Sequence, residues 1–405
     1  MTTEVLEKAT DVSGKARGLL KNVKVVDADA HITEAPDLWT SRAPLKFKDR
    51  MPQRKTIDNK TAWMIGDHEL GKDYGFSAIM KDGSKLPGLE FFDHPLEDVA
   101  EGAYDIKARL KYMDDNGIAG QIAYTNLLGF GGAKAMRVPQ ELRDMAIQIQ
   151  NDAMAELQVE SNNRVYPMIM VPWWDIDKAV AEVERCADMG LRGINTHGNP
   201  QHHGLPDLAE DHWRPLWEIC EDRGLPVNFH VAFSQGADGW ETPDVWPSLT
   251  GYEKYVVGGS MLFASNMVIL LNLMMSNIFK RHPRLRFTSV ESNVGWVPFM
   301  LETLQYQVAE NLPDWDMPVT EIFKKHFSIC FWAEKQGLLD AVQRLGADTI
   351  MFETDYPHPT CLYPDPLGYH LDALEQLSPD ERAKVFGTNA QRLYNLDLAA
   401  APAAS

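Results

Sequence analysis

The sequence predicts an α/β fold: a (β/α)8 barrel, or TIM barrel, with an inserted flap after its first strand. Three observations carry that reading. Short runs rich in β-branched and apolar residues alternate with longer stretches of helical period, as repeated βα units around a parallel sheet require. Eight such runs occur, at residues 23–28, 120–125, 165–171, 193–196, 226–231, 286–290, 327–331 and 349–353, and most read as near-continuous apolar runs, as strands covered on both faces should. No G-x-G-x-x-G follows any of them, which disfavours the main alternative, a doubly wound open sheet.

The elements follow in order. Residues 1–22, mixed in charge and without an apolar stretch of signal-peptide length, read as an N-terminal extension. A single domain is expected over residues 23–396. Within it, residues 32–104 separate the first strand from the first barrel helix and are too many for a bare loop. Their segment TAWMIGDHELG sets Gly66-Asp67 between two extended runs, the pattern of a small hairpin, so this insertion is expected to form the flap beside the barrel mouth. Further on, Asp177 can cap a helix whose Val180, Val183 and Ala187 share a face, and Gly190 can end it in a left-handed turn. The uncharged run 255–279 is long enough to span a bilayer, but its Ser and Asn residues and acidic surroundings favour a helix buried in a soluble fold. Ser378-Pro379-Asp380-Glu381 orders a cap, a first-turn proline and a capping-box acid. Residues 397–405 read as a flexible tail.

Composition narrows the partners. Lys plus Arg number 39 against 58 Asp plus Glu, a net charge of −19 at pH 7 that repels phosphate backbones and anionic membranes. Neither nucleic acid nor a membrane is expected as a partner. Four cysteines lie far apart with no C-x-x-C pair, which fits reduced, packed thiols and a cytoplasmic location.

In a barrel of this kind the carboxyl ends of the strands converge on one face. The first strand ends in Asp27-Ala28-Asp29-Ala30-His31, and alternation sends Asp27, Asp29 and His31 to one side. Asp29 and His31 can reach a single ion, while Asp27, one step deeper, reads as a supporting acid. The fifth strand, in LPVNFHVA, ends in His230, and the eighth, in DTIMFETDYPHP, ends in Asp355. A buried Asp after such a strand needs a cation, a hydrogen-bond donor or a shifted pKa. Together Asp29, His31, His230 and Asp355 can surround one divalent metal and leave a position open. His197, His358 and Trp296 are further candidates for touching substrate or supporting the ligands. His202 and His203 read as an exposed loop pair, and His282 and His326 precede their strands and read as structural. Phe233, Trp240, Trp246, Tyr356 and Tyr363, with Trp63, Phe91 and Phe92 of the flap, can line an apolar pocket for a bulky small molecule carrying a carbonyl or carboxyl group.

Five segments, DADAH, HWRPLWEICEDRGLPVNFH, RHPRLRFTSVESNVGWVP, MFETDYPHP and FGTNAQRLYNL, stand in an order and spacing that resemble the amidohydrolase-2 family of the amidohydrolase superfamily. The branch is the one typified by aminocarboxymuconate semialdehyde decarboxylase. The resemblance implies a distorted (β/α)8 barrel, a small-molecule substrate, a homodimer, and one catalytic divalent metal on Asp29, His31, His230 and Asp355. Two departures matter. Where many relatives have His-x-His or Glu-x-His, this chain has Asp29-x-His31; zinc is the first expectation, with manganese and iron open. At the end of strand six, where decarboxylating relatives typically carry a His, the chain reads Val290-Glu291-Ser292, which makes Glu291 the candidate acid or base.

That substitution tilts the expectation toward a metal-dependent hydrolase, in which a metal-activated water attacks an amide, ester, thioester or lactone and Asp355 or Glu291 takes its proton. The alternative is a metal-dependent non-oxidative decarboxylase of an aromatic or unsaturated carboxylic acid, which requires a Glu of raised pKa. From another class, a non-catalytic metal-containing binding protein remains the third reading.

Overall fold

Each of the eight expected runs forms strand in the computed structural model, which describes residues 3–58, 60–73, 75–231 and 246–398. The first is β1 (Val25–Ile32), every residue of which is buried. After it come the flap strands β2 (Gln53–Ile57), β3 (Lys60–Ile65) and β4 (His68–Lys72). The barrel resumes with β5 (Ile118–Thr125), β6 (Val165–Pro167), β7 (Ile169–Met170), β8 (Ile194–Asn195), β9 (Val227–His230), β10 (Phe287–Val290), β11 (Phe327–Phe331) and β12 (Ile350–Phe352). All barrel pairings are parallel and follow chain order, β1-β5-β6 and then β7 through β12.

Two seams distort the cylinder. The third expected strand is split at Met168, whose N–H donates back to Ala123 (2.9 Å), while the next residue, Ile169, donates on to Gly193 (2.9 Å). Between the eighth strand and the first, the bonds form just past β12: Asp355 N–H to the Asp29 carbonyl (3.0 Å) and His31 N–H to the Tyr356 carbonyl (2.7 Å). This second seam matters for function, because it joins backbone that carries candidate ligands from both ends of the chain.

Helices cover the strands with apolar faces. Ala179, Val183 and Cys186 of Ile176–Asp188, Leu216 and Trp217 of Arg214–Arg223, and Leu338 and Ala341 of Gln336–Leu345 pack in one core with Val227, Phe287, Ile329 and Ile350. Helix Ile176–Asp188 is capped by Asp175 and not by Asp177. Asp175 has the extended backbone a cap requires, and its carboxylate accepts from Lys178 N–H, whereas Asp177 already lies in the first turn. Gly190 takes φ 100° beyond its end, as expected, and the Ser378 capping box with Pro379 and Glu381 is complete.

The expected hairpin is β3–β4, turned at Gly66 (φ 58°), with β2 as a third antiparallel strand. Trp63, Ile65 and Leu70 pack with Trp39, Leu127, Leu142 and Ile147 in a second core. Thr33 Oγ1 donates to the Gly75 carbonyl and Ala78 N–H to that of Pro357, which fastens the insertion at the carboxyl ends of β1 and β12.

The apolar run after residue 250 departs from expectation. It breaks into Gly251–Leu262 and Met267–Met274. The second helix buries Ile269, Leu270, Leu273 and Met274, but the first buries only Gly258 and exposes Tyr252, Val256, Val257 and Met261. Among the described residues the second helix packs into the main core and the first leaves its apolar side chains largely uncovered. The stretch remains long and apolar enough to cross a membrane by length and composition. Phe233, Trp240, most of the tail and the side chain of Phe92 lie outside the described residues.

Candidate metal centre

Asp29 and His31 share a face at the end of β1, but the pairing with β5 is irregular between Asp27 and Ala30, which takes Asp27 off the face that strict alternation predicts and gives it other partners. Asp27 accepts from Gln121 Nε2 (2.8 Å), from Thr354 N–H (2.8 Å) and from the Thr354 hydroxyl (2.7 Å). Burial pushes its carboxyl up to about 6 against the pull of those bonds, and it ties β1 to β5 and to the end of β12. Asp29 is also fully buried, yet neither of its oxygens accepts a hydrogen bond among the described residues. They face ring nitrogens instead: Oδ1 lies 3.6 Å from His31 Nε2 and Oδ2 3.5 Å from His230 Nε2. Burial, then Asp355 and Asp27, hold the Asp29 carboxyl well above the usual range.

His230 closes β9. Its Nδ1–H donates to the Val231 carbonyl (3.2 Å), which turns Nε2 toward His31 Nε2, 3.2 Å away. Burial lowers His230 to about 4 and holds His31 well below its ordinary value, so both rings are neutral at pH 7. Asp355 follows β12 with a left-handed backbone (φ 58°). The Thr360 hydroxyl donates to its Oδ2, while Oδ1 stands 3.3 Å from His31 Nε2 and 3.2 Å from His358 Nδ1. Burial pushes this carboxyl up, but His358 and His31 outweigh it and keep it below the usual range.

Glu291, one residue past β10, also has a left-handed backbone (φ 52°). Its N–H donates to Glu353 Oε2 (3.2 Å), and its own Oε2 lies 3.5 Å from His230 Nε2. Burial first, then Asp355 and Asp29, hold its carboxyl well above the usual range. Left-handed φ at two non-glycine residues costs about 1 kcal/mol or more each, and here it aims both acids inward.

Three overlapping sets of ligand atoms result, each within 4.8 Å: Asp29, His31 and His230; His31, Asp355 and His358; Asp29, Glu291 and Asp355. All five sequence-predicted residues, Asp29, His31, His230, Glu291 and Asp355, are therefore brought together, and His358 joins them. Buried carboxylate oxygens without donors, beside neutral imidazole nitrogens, make a donor set suited to a divalent cation.

The remaining candidates lie elsewhere. His197 is buried in an aromatic group, its ring 4.8 Å from Trp173 and 4.9 Å from His203, and burial lowers it to about 3. Trp296 donates its indole N–H to the Ser292 carbonyl (2.7 Å) and so closes the turn after Glu291. His202 and His203 are exposed; His282 meets Glu221 (3.2 Å) and His326 the Leu285 carbonyl (2.9 Å), both below the barrel. Of the aromatics, Phe91 approaches the His358 ring (5.8 Å), but Trp63 is buried in the flap core and Tyr356 stacks on Tyr112 (3.7 Å). Both therefore serve packing and not a pocket wall, because each ring has a complete set of protein neighbours.

Three residues escaped sequence reasoning. Arg109, fully buried, donates Nη2 to the His31 carbonyl (2.5 Å) and Nε to that of Gly102 (2.6 Å), with its guanidinium 4.7 Å over the Tyr356 ring. Asn126 and Glu34 sit behind His358. Only Glu34, a carboxylate directly after the first strand, carried a readable signal.

Comparison with known proteins agrees with this architecture. Residues 26–396 match the family described as amidohydrolase. The gamma-resorcylate decarboxylase of Rhizobium sp. (strain MTP-10005) is 28% identical over 82% of this chain and 99% of its own. Among solved structures, an amidohydrolase from Mycobacterium avium subsp. paratuberculosis shares 21% identity at a TM-score of 0.71, covering 92% of this chain and 99% of that one. A dihydroxybenzoic acid decarboxylase from Polaromonas sp. JS666, solved with bound manganese and an inhibitor, shares 18% at 0.58, covering 93% and 98%. With the match running from β1 to the last helix, the chain belongs to the amidohydrolase family.

Proposed function

We propose that the protein is a metal-dependent, non-oxidative decarboxylase of an aromatic hydroxy acid. Asp29, His31, His230 and Asp355 hold one divalent ion, and Glu291 protonates the carbon that loses carbon dioxide. The carrying observation is the placement of Glu291: a buried carboxyl with Oε2 3.5 Å from His230 Nε2, among the ligands, where burial, Asp355 and Asp29 push it well above the usual range, the direction a proton donor needs. Hydrolysis, the first expectation from sequence, needs a carboxylate free to take a proton from water. Glu291 is pushed in the opposite direction, and Asp355, held below the usual range, is a weak base. A cation on the four ligands offsets the charge of Asp29 and Asp355, but burial, the largest influence on Glu291, persists. The gamma-resorcylate decarboxylase of Rhizobium sp., matched over 82% of this chain and 99% of its own, supports the same reading.

An ion held by Asp29, His31, His230 and Asp355 would supply Lewis-acid polarisation of the substrate. The chain supplies the rest. His230 and His31 stay neutral and keep their nitrogens as ligands, and the Asp27 and Arg109 bonds hold their backbone. The Glu291 proton goes to the ring carbon as the carbon–carboxyl bond breaks and carbon dioxide leaves, and solvent then reprotonates Glu291. Two carboxylates and two imidazoles admit manganese as readily as zinc, and the Polaromonas neighbour has manganese bound, so manganese is the first metal to supply. The homodimer and cytoplasmic location expected from the sequence belong to this proposal.

The test incubates manganese-loaded protein with 2,6-dihydroxybenzoate and related hydroxy acids in deuterated water. Carbon dioxide should appear with deuterium at the vacated ring position. Glu291→Gln should keep its metal and lose turnover by about 10²-fold or more. Hydrolysis of esters or lactones without carbon dioxide release would overturn the reading.

A further inference from the structure

Glu291 is aimed by a backbone that an L-residue rarely adopts, with φ 52°. From a right-handed or extended backbone its Cα–Cβ bond would leave in another direction, and the carboxyl would not stand 3.5 Å from His230 Nε2. Something has to hold residue 291 in that state.

The adjacent strands do not. The pairing of β10 with β11 ends at Ser289, opposite Ile329, and its pairing with β9 ends at Val290, opposite His230. The ladder therefore stops one residue short of Glu291, whose N–H bonds to a side chain instead, donating to Glu353 Oε2 (3.2 Å). Glu353 directly follows β12, and the strand order β12-β11-β10 means that its side chain reaches past β11 to the end of β10. Its own N–H donates to the Phe331 carbonyl of β11 (3.0 Å), so the acceptor is fixed by the sheet.

The rest of the turn has other anchors. The Ser289 hydroxyl donates to that of Ser292 (2.7 Å), the Trp296 indole to the Ser292 carbonyl (2.7 Å), and the N–H groups of Val294 (2.5 Å) and Gly295 (2.7 Å) to the Glu334 carboxylate. These bonds fasten residues 292–295, and Glu353 fastens residue 291. Glu353 is fully buried and follows three buried apolar residues, Ile350–Phe352. An acid costs the fold stability at such a place, where an apolar side chain would not, and the backbone bond it makes goes to the proposed proton donor.

We infer that Glu353 is a positioning residue: by accepting the N–H of Glu291 it fixes the left-handed backbone that points the Glu291 carboxyl at the metal centre. The inference rests on the proposed function, in which Glu291 supplies the proton.

Manganese-loaded full-length variants test it on the hydroxy acid that the wild type decarboxylates. Glu353→Met fills similar space without an oxygen acceptor; it should keep its metal and its KM but lower kcat by about 10²-fold, the order of loss that misplacing a reacting group brings. Glu353→Gln retains an acceptor oxygen and should recover most of that loss. In a Glu291→Gln background, Glu353→Met should cost little more, because it acts through Glu291. An unchanged kcat in Glu353→Met, a Gln variant as slow as the Met variant, or the full loss repeated in the Glu291→Gln background would overturn the inference and leave the proposed function standing. Should Glu353→Met fail to fold, the wild type decides. With isotope-labelled glutamate, the amide resonance that Glu291→Gln removes should exchange slowly with solvent, and exchange at the rate of a free peptide would overturn the inference. No carbon dioxide release by the wild type from any hydroxy acid would overturn the functional reading and this inference together.

Discussion

Arg109→Met tests how the second barrel seam is held. The guanidinium makes two short charge-assisted bonds, to the carbonyls of His31 (2.5 Å) and Gly102 (2.6 Å), at a site closed to solvent. Its longer approaches to Gln121 and Tyr356, at 3.4 and 3.5 Å, add little. Hydrogen bonds to charged groups contribute about 1.5–3 kcal/mol each, so the pair accounts for about 3–6 kcal/mol. Burial lowers the Arg109 pKa, which means that the buried charge has a cost of its own. Relief of that cost in the Met variant brings the expected loss to the lower end, about 3 kcal/mol. A chain of 405 residues unfolds with an entropy of about 0.8 kcal/mol per kelvin, so Tm should fall by about 4 °C. Arg109→Lys, which cannot reach both carbonyls, should fall between. The assay is thermal unfolding followed by circular dichroism at fixed pH and metal content. A Tm for Arg109→Met within 1 °C of the wild type would refute the reasoning, because it would mean that the His31 and Tyr356 backbone holds its place without the clamp.

Two further outcomes are expected. His230→Ala should leave the protein folded but largely without metal, since it removes one imidazole that faces Asp29; full occupancy by elemental analysis would contradict this. His370, buried among Phe331, Phe352 and Phe386, is lowered by burial to about 3 from an ordinary 6.5, so the unfolded chain binds its proton first and stability falls as pH drops from about 6.5 toward 3. Between pH 7 and pH 5 that is about 2 kcal/mol at 1.36 kcal/mol per pH unit. Urea unfolding at the two pH values should show His370→Phe gaining on the wild type by this amount, and an unchanged difference would show that His370 is not the group titrating.

Much of the fold was legible because its signals are local. Strand periodicity, the Gly66 turn, the Ser378 box and the ligand pair Asp29 and His31 each depend on neighbours within a few residues. Even His230 and Asp355 were readable, since each ends an apolar run and strand ends share one barrel face. Errors arose where a local rule had two solutions. Asp175 and Asp177 are both plausible caps, and backbone geometry chose the first. The run 255–279 is uncharged, with Ser and Asn scattered among its apolar residues, so no pattern could say which part the barrel would cover.

Glu291 shows the division most clearly. Its position could be read, but the upward push on its carboxyl could not, because burial and the acids that add to it, Asp355 and Asp29, arise only in space. The same holds for the clamp of Arg109 on the His31 carbonyl, 78 residues away, and for the contact of Asn126 with His358, which spans more than half the chain. The sequence by itself determined the strand count, the ligand types and the face on which they gather, since these follow from period and alternation. Only the tertiary structure decided which carboxyls are pushed toward their protonated form, which imidazole nitrogen points inward and which bonds tie the candidate ligands' backbone. Those properties depend on desolvation and on hydrogen bonds between distant segments, and neither exists until the chain has closed on itself.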